Sequence, residues 1–197
     1  MRYSFKLNYL IVCLVIFGAL LVNCQQDEQE KLSIKSLRNA LYKSEWTQSG
    51  EVKLTNGEYR EKVVPGSATE IVIKLTDQVA FGELDGKKVA AVILMTNAGG
   101  SGTFFDLAIV AEKAGKLIHV ATANLGDRVK INVLSIENGE IVIDMIAHGE
   151  NDPMATPTQQ QLLKYVLKGN QLGLISKDTG YTTRTVISDH FLSENSF

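Results

Sequence analysis

Apolar residues in the central part of the chain fall into short runs separated by turn residues. "KVAAVILMT" from Lys88 and "LAIVAE" from Leu107 are nearly continuous apolar runs, typical of strands covered on both faces. Dipeptides that favour tight hairpins recur between such runs, at Asn56-Gly57, Asp85-Gly86, Ala114-Gly115, Asn138-Gly139 and Gly169-Asn170. The pattern predicts a mainly β (α+β) domain: a curled antiparallel β-meander or barrel-like sheet, with one N-terminal amphipathic helix packed against it.

The hairpin dipeptides also predict which residues face each other. If Asp85-Gly86 is a two-residue loop, Glu83 lies opposite Lys88, which gives a favourable charge pair. The same loop sets Phe81 against Ala90, a large residue against a small one. At Asn138-Gly139 the construction places two glutamates opposite each other, which is tolerable only at an exposed hairpin tip.

The segment before the sheet has a different spacing. Ile34, Leu37 and Leu41 recur at three and four residues, which predicts an amphipathic helix over 31–46. We expect this helix to cover the second face of the sheet. Its basic residues leave open the alternative that it lies on a membrane surface: Lys31, Lys35, Arg38 and Lys43.

The start of the chain has the layout of a secretory signal. Arg2 and Lys6 precede an almost unbroken apolar stretch that ends at Val22 and opens onto the polar "QQDEQE". A permanent span needs about 20 apolar residues, and this stretch is shorter. The sequence therefore predicts a signal peptide over 1–23.

The end of this signal resembles a bacterial lipobox. Leu21 and Val22 fit that pattern, whereas Asn23 stands where Gly, Ala or Ser is usual. The resemblance implies cleavage before Cys24 and acylation of its thiol, for instance with palmitate, which would anchor the chain in a lipid bilayer. A cleaved signal without lipid and an uncleaved anchor are the alternatives.

The interpretation of Cys24 as a lipidation site predicts a domain organisation and a location. A flexible tether runs over 24–30 and a single β-rich domain over 31–197. The predicted location is the bacterial cell envelope, with the protein lipid-anchored to a membrane, the outer membrane if the organism has one.

Cysteine count and charge exclude several classes of protein. Besides Cys24, the only cysteine is Cys13, inside the predicted signal, so disulfides, cysteine nucleophiles and cysteine metal sites are excluded from the mature chain. Removal of the signal lowers the basic residues from 20 to 18 against 22 acidic ones. Because no basic stripe remains, we expect no nucleic-acid partner.

The stretch from Phe81 to Gln159 resembles a group of bacterial exported proteins, many of them lipoproteins. Its most particular blocks are "GGSGTF", "LGDRV" and "HGENDPM" followed by "PTQ". More loosely, the chain is similar to the mycobacterial LppP/LprE lipoprotein family. The resemblance implies an exported lipoprotein and no established activity. The chain departs from these relatives where they often carry two cysteines, since Ala155 and Thr156 follow Met154 here.

The glycine-rich segment "TNAGGSGTFF" is a candidate binding loop. Gly99, Gly100 and Ser101 could expose backbone N–H groups that cradle a phosphate or carboxylate. The segment lacks the lysine and the following helix of a P-loop, so a flexible hairpin connection is the alternative.

Asp144 stands out as a carboxylate within an apolar strand pattern. If 141–147 form a strand, Asp144 shares an apolar face with Val142, Ile146 and His148, together with Val129, Ile131 and Val133. A carboxylate there must pair, accept hydrogen bonds or take up a proton. Arg128 is the predicted partner of a buried structural pair. A catalytic acid with a raised pKa is the rival interpretation.

No motif in the sequence completes a catalytic or metal site. His119, His148 and His190 show no close pairing, so we predict no metal, and no cofactor motif is present. The predicted function is a non-enzymatic binding or structural module for an envelope protein, a cell-wall component or a small molecule. The alternative is an envelope hydrolase that uses Asp144, His148 and Asp152.

Overall fold

The computed structural model describes residues 31–180, which form one short helix and eleven strands. The helix α1 spans Ile34–Leu37. The strands, in chain order, are β1 Leu41–Lys43, β2 Glu51–Lys53, β3 Glu58–Lys62, β4 Glu70–Leu84, β5 Lys87–Asn97, β6 Phe104–Lys113, β7 Lys116–Asp127, β8 Lys130–Glu137, β9 Glu140–Ala147, β10 Gln159–Lys168 and β11 Gln171–Thr179. They form antiparallel sheets of two strands (β1-β2), five strands (β3-β4-β5-β6-β7) and four strands (β11-β10-β9-β8). The prediction of a mainly β, curled antiparallel architecture is confirmed.

Four of the five predicted dipeptides are two-residue hairpin loops. Asp85 and Gly86 have φ of 50° and 68°, and they join Leu84 to Lys87. The predicted register around this loop is confirmed, with Glu83 opposite Lys88 and Phe81 opposite Ala90. Asn56-Gly57 also turns with positive φ, but it closes a single bridge, because β2 pairs with β1 instead of β3.

The central strands of the five-stranded sheet are buried on both faces, as the apolar runs predict. In β5, Val89, Ala91 and Ile93 belong to one apolar core, and the alternate residues of the strand belong to a second. β6 divides in the same way. Because side chains alternate along a strand, the two cores lie on opposite faces of one sheet.

The four-stranded sheet covers the first of these faces. The inward residues of β9 are Ile141, Ile143, Met145 and Ala147, all buried in the same core as Ile93. β8 approaches β4 at one margin and β11 approaches β7 at the other. At the first margin, a Cβ at Gly82 would lie 2.6 Å from Cγ2 of Ile136, so a residue without a side chain is needed there.

The N-terminal segment covers the second face, but not as the predicted helix. Helical structure over 31–46 is limited to α1, and β1 begins within the predicted range. Ser33 caps the start of α1, and the side chain of Asn39 donates to the carbonyl of Lys35 at 2.9 Å beyond its end. From Ala40 to Tyr42 burial alternates with a period of two. Pairing with β2 and burial on the sheet therefore outweigh the helical spacing.

Parts of the predicted organisation lie outside the described residues. These are the signal over 1–23, the lipidated Cys24, the tether over 24–30 and the end of the 31–197 domain beyond residue 180. Within residues 31–180, no helix is long and apolar enough to cross a membrane.

Candidate functional site

Arg128 joins three segments that lie far apart in the sequence. Its guanidinium donates to the carbonyl of Ser101 at 2.6 Å and to the carbonyl of Met154 at 2.9 Å, and it pairs with the neighbouring Asp127. "GGSGTF", "LGDRV" and "HGENDPM" therefore meet at one end of the domain. We call this contact set the Arg128 junction.

The backbone at Arg128 is held in an unusual conformation. Arg128 has a φ of 51°, and its N–H donates to the carbonyl of Thr103 at 2.6 Å. The carboxylate of Asp127 accepts from the N–H of Thr103 at 2.7 Å. These paired bonds fix the turn between β7 and β8 against the glycine-rich loop and offset the cost of a positive φ at a residue with a side chain.

The glycine-rich loop is braced from within. The side chain of Asn97 accepts from the N–H of Gly99 at 2.9 Å and donates to the carbonyl of Gly102 at 3.2 Å. Gly99 has a φ of 85°, and a Cβ there would lie 2.3 Å from Cγ2 of Thr69. Gly100 and Ser101 are exposed. The loop therefore meets the turn between β7 and β8 with both kinds of group: the carbonyl of Ser101 accepts from the Arg128 cation, and the N–H of Thr103 donates to the carboxylate of Asp127.

Asp152 shapes the loop between β9 and β10. Its carboxylate accepts from the N–H of Gly149 at 2.9 Å, and from the N–H and the hydroxyl of Thr158, each at 2.6 Å. The N–H of Gly149 lowers the pKa of Asp152 most, followed by the bonds from Thr158 and the nearby charge of His148. The carboxylate organises its own loop, which leads into β10.

Asp144 does not pair with Arg128, so that prediction is wrong. Asp144 is 6% exposed and accepts from Nδ2 of Asn132 at 3.0 Å. A bulge between Ile131 and Val133 shifts the register of β8 and sets Val133 opposite Asp144.

The face predicted for Asp144 is right for Val142, Ile146 and Val133 and wrong for Val129 and Ile131. Ile143 and Met145, its neighbours in β9, point into the core, so Asp144 lies on the outer face of the four-stranded sheet. Val129, predicted on the face of Asp144, is buried in the core as well. The bulge changes which residues of β8 share a face, and no sequence pattern announces it.

The three residues of the hydrolase alternative bind different partners. Asp144 is bonded to Asn132, Asp152 is bonded to its own loop, and His148 acts on Asp152 through charge. Among residues 31–180, no hydrogen bond joins any two of Asp144, His148 and Asp152.

A cleft that sequence reasoning missed opens on the second face of the five-stranded sheet. It is a half-open cleft of about 410 Å³ between the N-terminal segment and strands β4 to β7. Its lining is polar above an apolar floor: Lys43, Ser44, Glu45, Gly50, Thr96, Asp106, Thr122 and Asn124 above Ile73 and Leu94. The volume lies within the range of small-molecule pockets, about 300–1,000 Å³.

Asp106 is the buried charge of this cleft. It is 8% exposed, and it lies opposite Leu94 on one neighbouring strand and Asn124 on the other. Nδ2 of Asn124 donates to its Oδ1 at 2.9 Å. Burial raises the pKa of Asp106, the bond from Asn124 opposes that rise, and the charge of Glu45 adds to it.

Trp46 lies near Asp106, beside the start of β6. Its indole stacks on Phe104, with ring centroids 4.6 Å apart. The indole N–H lies near enough to Asp106 to lower the pKa of that carboxyl a little, yet Nε1 is buried without a hydrogen-bond partner. A buried donor of this kind costs free energy unless an acceptor reaches it.

His119 fixes the N-terminal segment beside the cleft. The N–H of Lys43 donates to its Nδ1 at 2.8 Å, so the ring proton belongs on Nε2, which contacts the carbonyl of Ala121 at 3.0 Å and the hydroxyl of Thr122 at 2.7 Å. Burial lowers the pKa of His119 to about 4. A neutral His119 therefore holds β1 against β7.

The sequence contained a signal for the cleft. Asp106 interrupts the apolar run "FFDLAIV" and shares its alternation with Ala108 and Val110, which lie in the second core. The only tryptophan of the chain falls in the segment that covers this face. Because Asp106 alternates with residues of the second core, it predicts a polar interruption of that core. The prediction needs one further fact, that the N-terminal segment packs on this face as a strand and a turn.

Comparison of the chain with protein-family models, with characterised proteins and with solved structures finds no match. Within residues 31–180, no group of three or more His, Cys, Asp or Glu side chains is placed to hold a metal ion. His190 lies outside the described residues.

Proposed function

We propose that this chain is a lipid-anchored protein of the bacterial envelope whose β domain binds a small polar ligand in the cleft at Asp106. One observation carries the binding role: a cavity of about 410 Å³ with a buried carboxylate in its wall. Clefts of this size with a few convergent polar groups are a usual form of ligand sites.

A binding module accounts for the cleft better than a hydrolase does. Besides Asp106, the cleft is lined by an amide, hydroxyls, apolar side chains and the charged Lys43 and Glu45, which can orient a ligand through hydrogen bonds and charge. The hydrolase alternative rests on Asp144, His148 and Asp152, whose hydrogen bonds run to separate partners. No observation favours it over binding.

A pair of variants of Thr122 tests the binding role. Thr122 is exposed at the edge of the cleft, so Thr122→Phe would fill part of the cavity, whereas Thr122→Val removes the same hydroxyl without filling it. Purified protein is incubated with a small-molecule extract of the envelope, and bound species are detected by native mass spectrometry. We expect Thr122→Val to retain a bound species that Thr122→Phe loses.

Equal retention by both variants would contradict the proposal, as would the absence of any bound species in the wild type. Thermal unfolding of both variants checks that each is folded. The His119 ring keeps its contact with the carbonyl of Ala121 in each, so both should unfold cooperatively.

The anchor rests on the sequence "LVNC" and has its own test. Mass spectrometry of the mature amino terminus should find an acylated Cys24, and Cys24→Ala should leave the protein without lipid. Intact peptides from the first residues in the mature protein, or an unacylated start, would contradict the anchor while leaving the cleft in place.

A further inference from the structure

The side chains that line the cleft carry more negative charge than positive charge. Two carboxylates reach it, the buried Asp106 and the exposed Glu45, whereas Lys43 is its one cationic side chain among the described residues. The two carboxylates repel each other, since the charge of Glu45 disfavours ionisation of Asp106. A cation placed between them would remove this repulsion.

Asp106 also has unused capacity to accept hydrogen bonds. An ionised carboxylate has about four acceptor positions. Among the described residues, Asn124 donates to Oδ1, and the buried indole N–H of Trp46 lies near the carboxylate, so these two donors leave part of its acceptor capacity unused. A buried acceptor with free positions is satisfied by a donor from outside the chain.

The other residues that line the cleft indicate what kind of molecule can carry the donor. Ile73 and Leu94 form an apolar floor beneath Asp106, while Thr96 and Thr122 offer hydroxyls at its sides. The floor suits a short hydrocarbon part, and the cavity of about 410 Å³ suits a small molecule more than a polymer.

We propose that the ligand of the cleft is a small organic ammonium compound, whose charged nitrogen lies between Asp106 and Glu45 and whose apolar part lies on Ile73 and Leu94. This inference rests on the proposed binding function and names its ligand class. An ammonium group supplies several N–H donors and a positive charge, which match the free acceptor positions and the excess negative charge.

Isothermal titration calorimetry on the full chain tests the class of ligand. The probes are n-butylammonium, 1,4-diaminobutane and benzylammonium, each compared with the alcohol of the same skeleton. We expect at least one amine to bind, and the matching alcohol to bind at least tenfold more weakly. Binding of no amine, or equal binding of amine and alcohol, would overturn the proposal. So would tight binding of Ca²⁺ alone, tested as the chloride, because it would make the site one for a metal cation.

Three carboxylate variants test the position of the nitrogen. We expect Asp106→Asn to weaken amine binding at least tenfold and Glu45→Gln about threefold, because buried charge pairs contribute more than exposed ones. Glu51→Gln is the matched control: an exposed carboxylate on β2, outside the cleft, whose loss should leave binding unchanged. Unchanged binding by Asp106→Asn would contradict the proposal.

A spectroscopic measurement keeps the test independent of these substitutions. The carboxyl ¹³C resonance of Asp106 in the wild type should move on addition of amine. A resonance that stays fixed while amine binds would place the amine elsewhere and overturn the proposal.

The two proposals can fail separately. If the Thr122 variants show a ligand in the cleft but no amine binds, the binding function stands and the ligand class is wrong. If neither a captured species nor an amine depends on the cleft, the proposed function itself is wrong.

Discussion

The two faces of the five-stranded sheet are covered in different ways. The face against the four-stranded sheet is a closed apolar core that continues across β4 to β7 and β8 to β11. The face against the N-terminal segment begins as an apolar core around Ala90 and Val92 and becomes polar at Thr96 and Asp106. The same strands supply both faces, so the difference comes from the cover, that is, from the segments that pack on each face.

The width of the cover explains where the cleft opens. A four-stranded sheet spans the whole first face, whereas β1 and β2 span only part of the second. Beyond β1 the cover becomes the turn from Ser44 to Gly50, which leaves a cavity above Leu94. A narrow cover on a broad sheet thus leaves a cleft on the second face.

The largest effect should come from truncating the closed face. Ile93→Ala removes a fully buried side chain between two sheets and should cost about 4 kcal/mol in the free energy of unfolding. Leu94→Ala, on the cleft floor, should cost about 2 kcal/mol, because a cavity already lies beside it. Urea unfolding of both variants measures the difference, and equal costs would contradict the contrast between the faces.

The second face should weaken in acid. Because the pKa of His119 is about 4 in the folded protein and about 6.5 in an unfolded chain, the unfolded state binds the proton first as the pH falls. The stabilisation is complete above pH 6.5 and is lost between pH 6.5 and 4, amounting to about 3 kcal/mol.

Urea unfolding at several pH values measures this loss. His119→Gln should flatten the dependence in that window. If the free energy of unfolding of His119→Gln still falls between pH 6.5 and 4, another group causes the effect.

The Arg128 junction lies outside both faces of the five-stranded sheet. A variant there is a reference for the variants on the two faces. Arg128→Ala removes charge-assisted bonds to two loop carbonyls and should cost about 2 kcal/mol. Hydrogen exchange should speed up in 98–103 and 149–158 and stay unchanged in β5 and β6. Faster exchange throughout the sheet would mean that the junction supports the core itself.

The smallest expected effect is an increase in stability instead of a loss. Asp106→Asn keeps an acceptor for Asn124 and removes the charge whose burial raises the pKa of Asp106. We therefore expect a stabilisation within about 1 kcal/mol at pH 7, which thermal unfolding can detect. Loss of stability by more than this would show that the charge is needed to hold the sheet. Asn124→Ala, which removes the amide instead, should be destabilising.

The sequence predicted the local features of the fold well, because single dipeptides determine them. Asp85-Gly86 fixed both its turn and its register, since few residues accept the positive φ of a two-residue loop. The helix over 31–46 failed because Leu41 to Lys43 pair with β2, a contact that no local pattern encodes.

The candidate site was predicted only in part, and for related reasons. Arg128, Ser101 and the 149–158 loop do come together, but through carbonyl acceptors that the sequence does not display. Val129 and Ile131 were placed on the face of Asp144 because the alternation does not reveal the bulge in β8 that shifts the register. The cleft depends on which segment covers the second face, a property of the whole fold.

The bond between Lys43 and His119 joins residues 76 positions apart in the chain. The N-terminal segment is synthesised first, yet the surface it packs on is complete only after β7 has been made and paired. The bond between Lys43 and His119 can therefore form only once β7 is in place. Every residue that lines the cleft precedes β8, so the cleft does not depend on the later four-stranded sheet having been made.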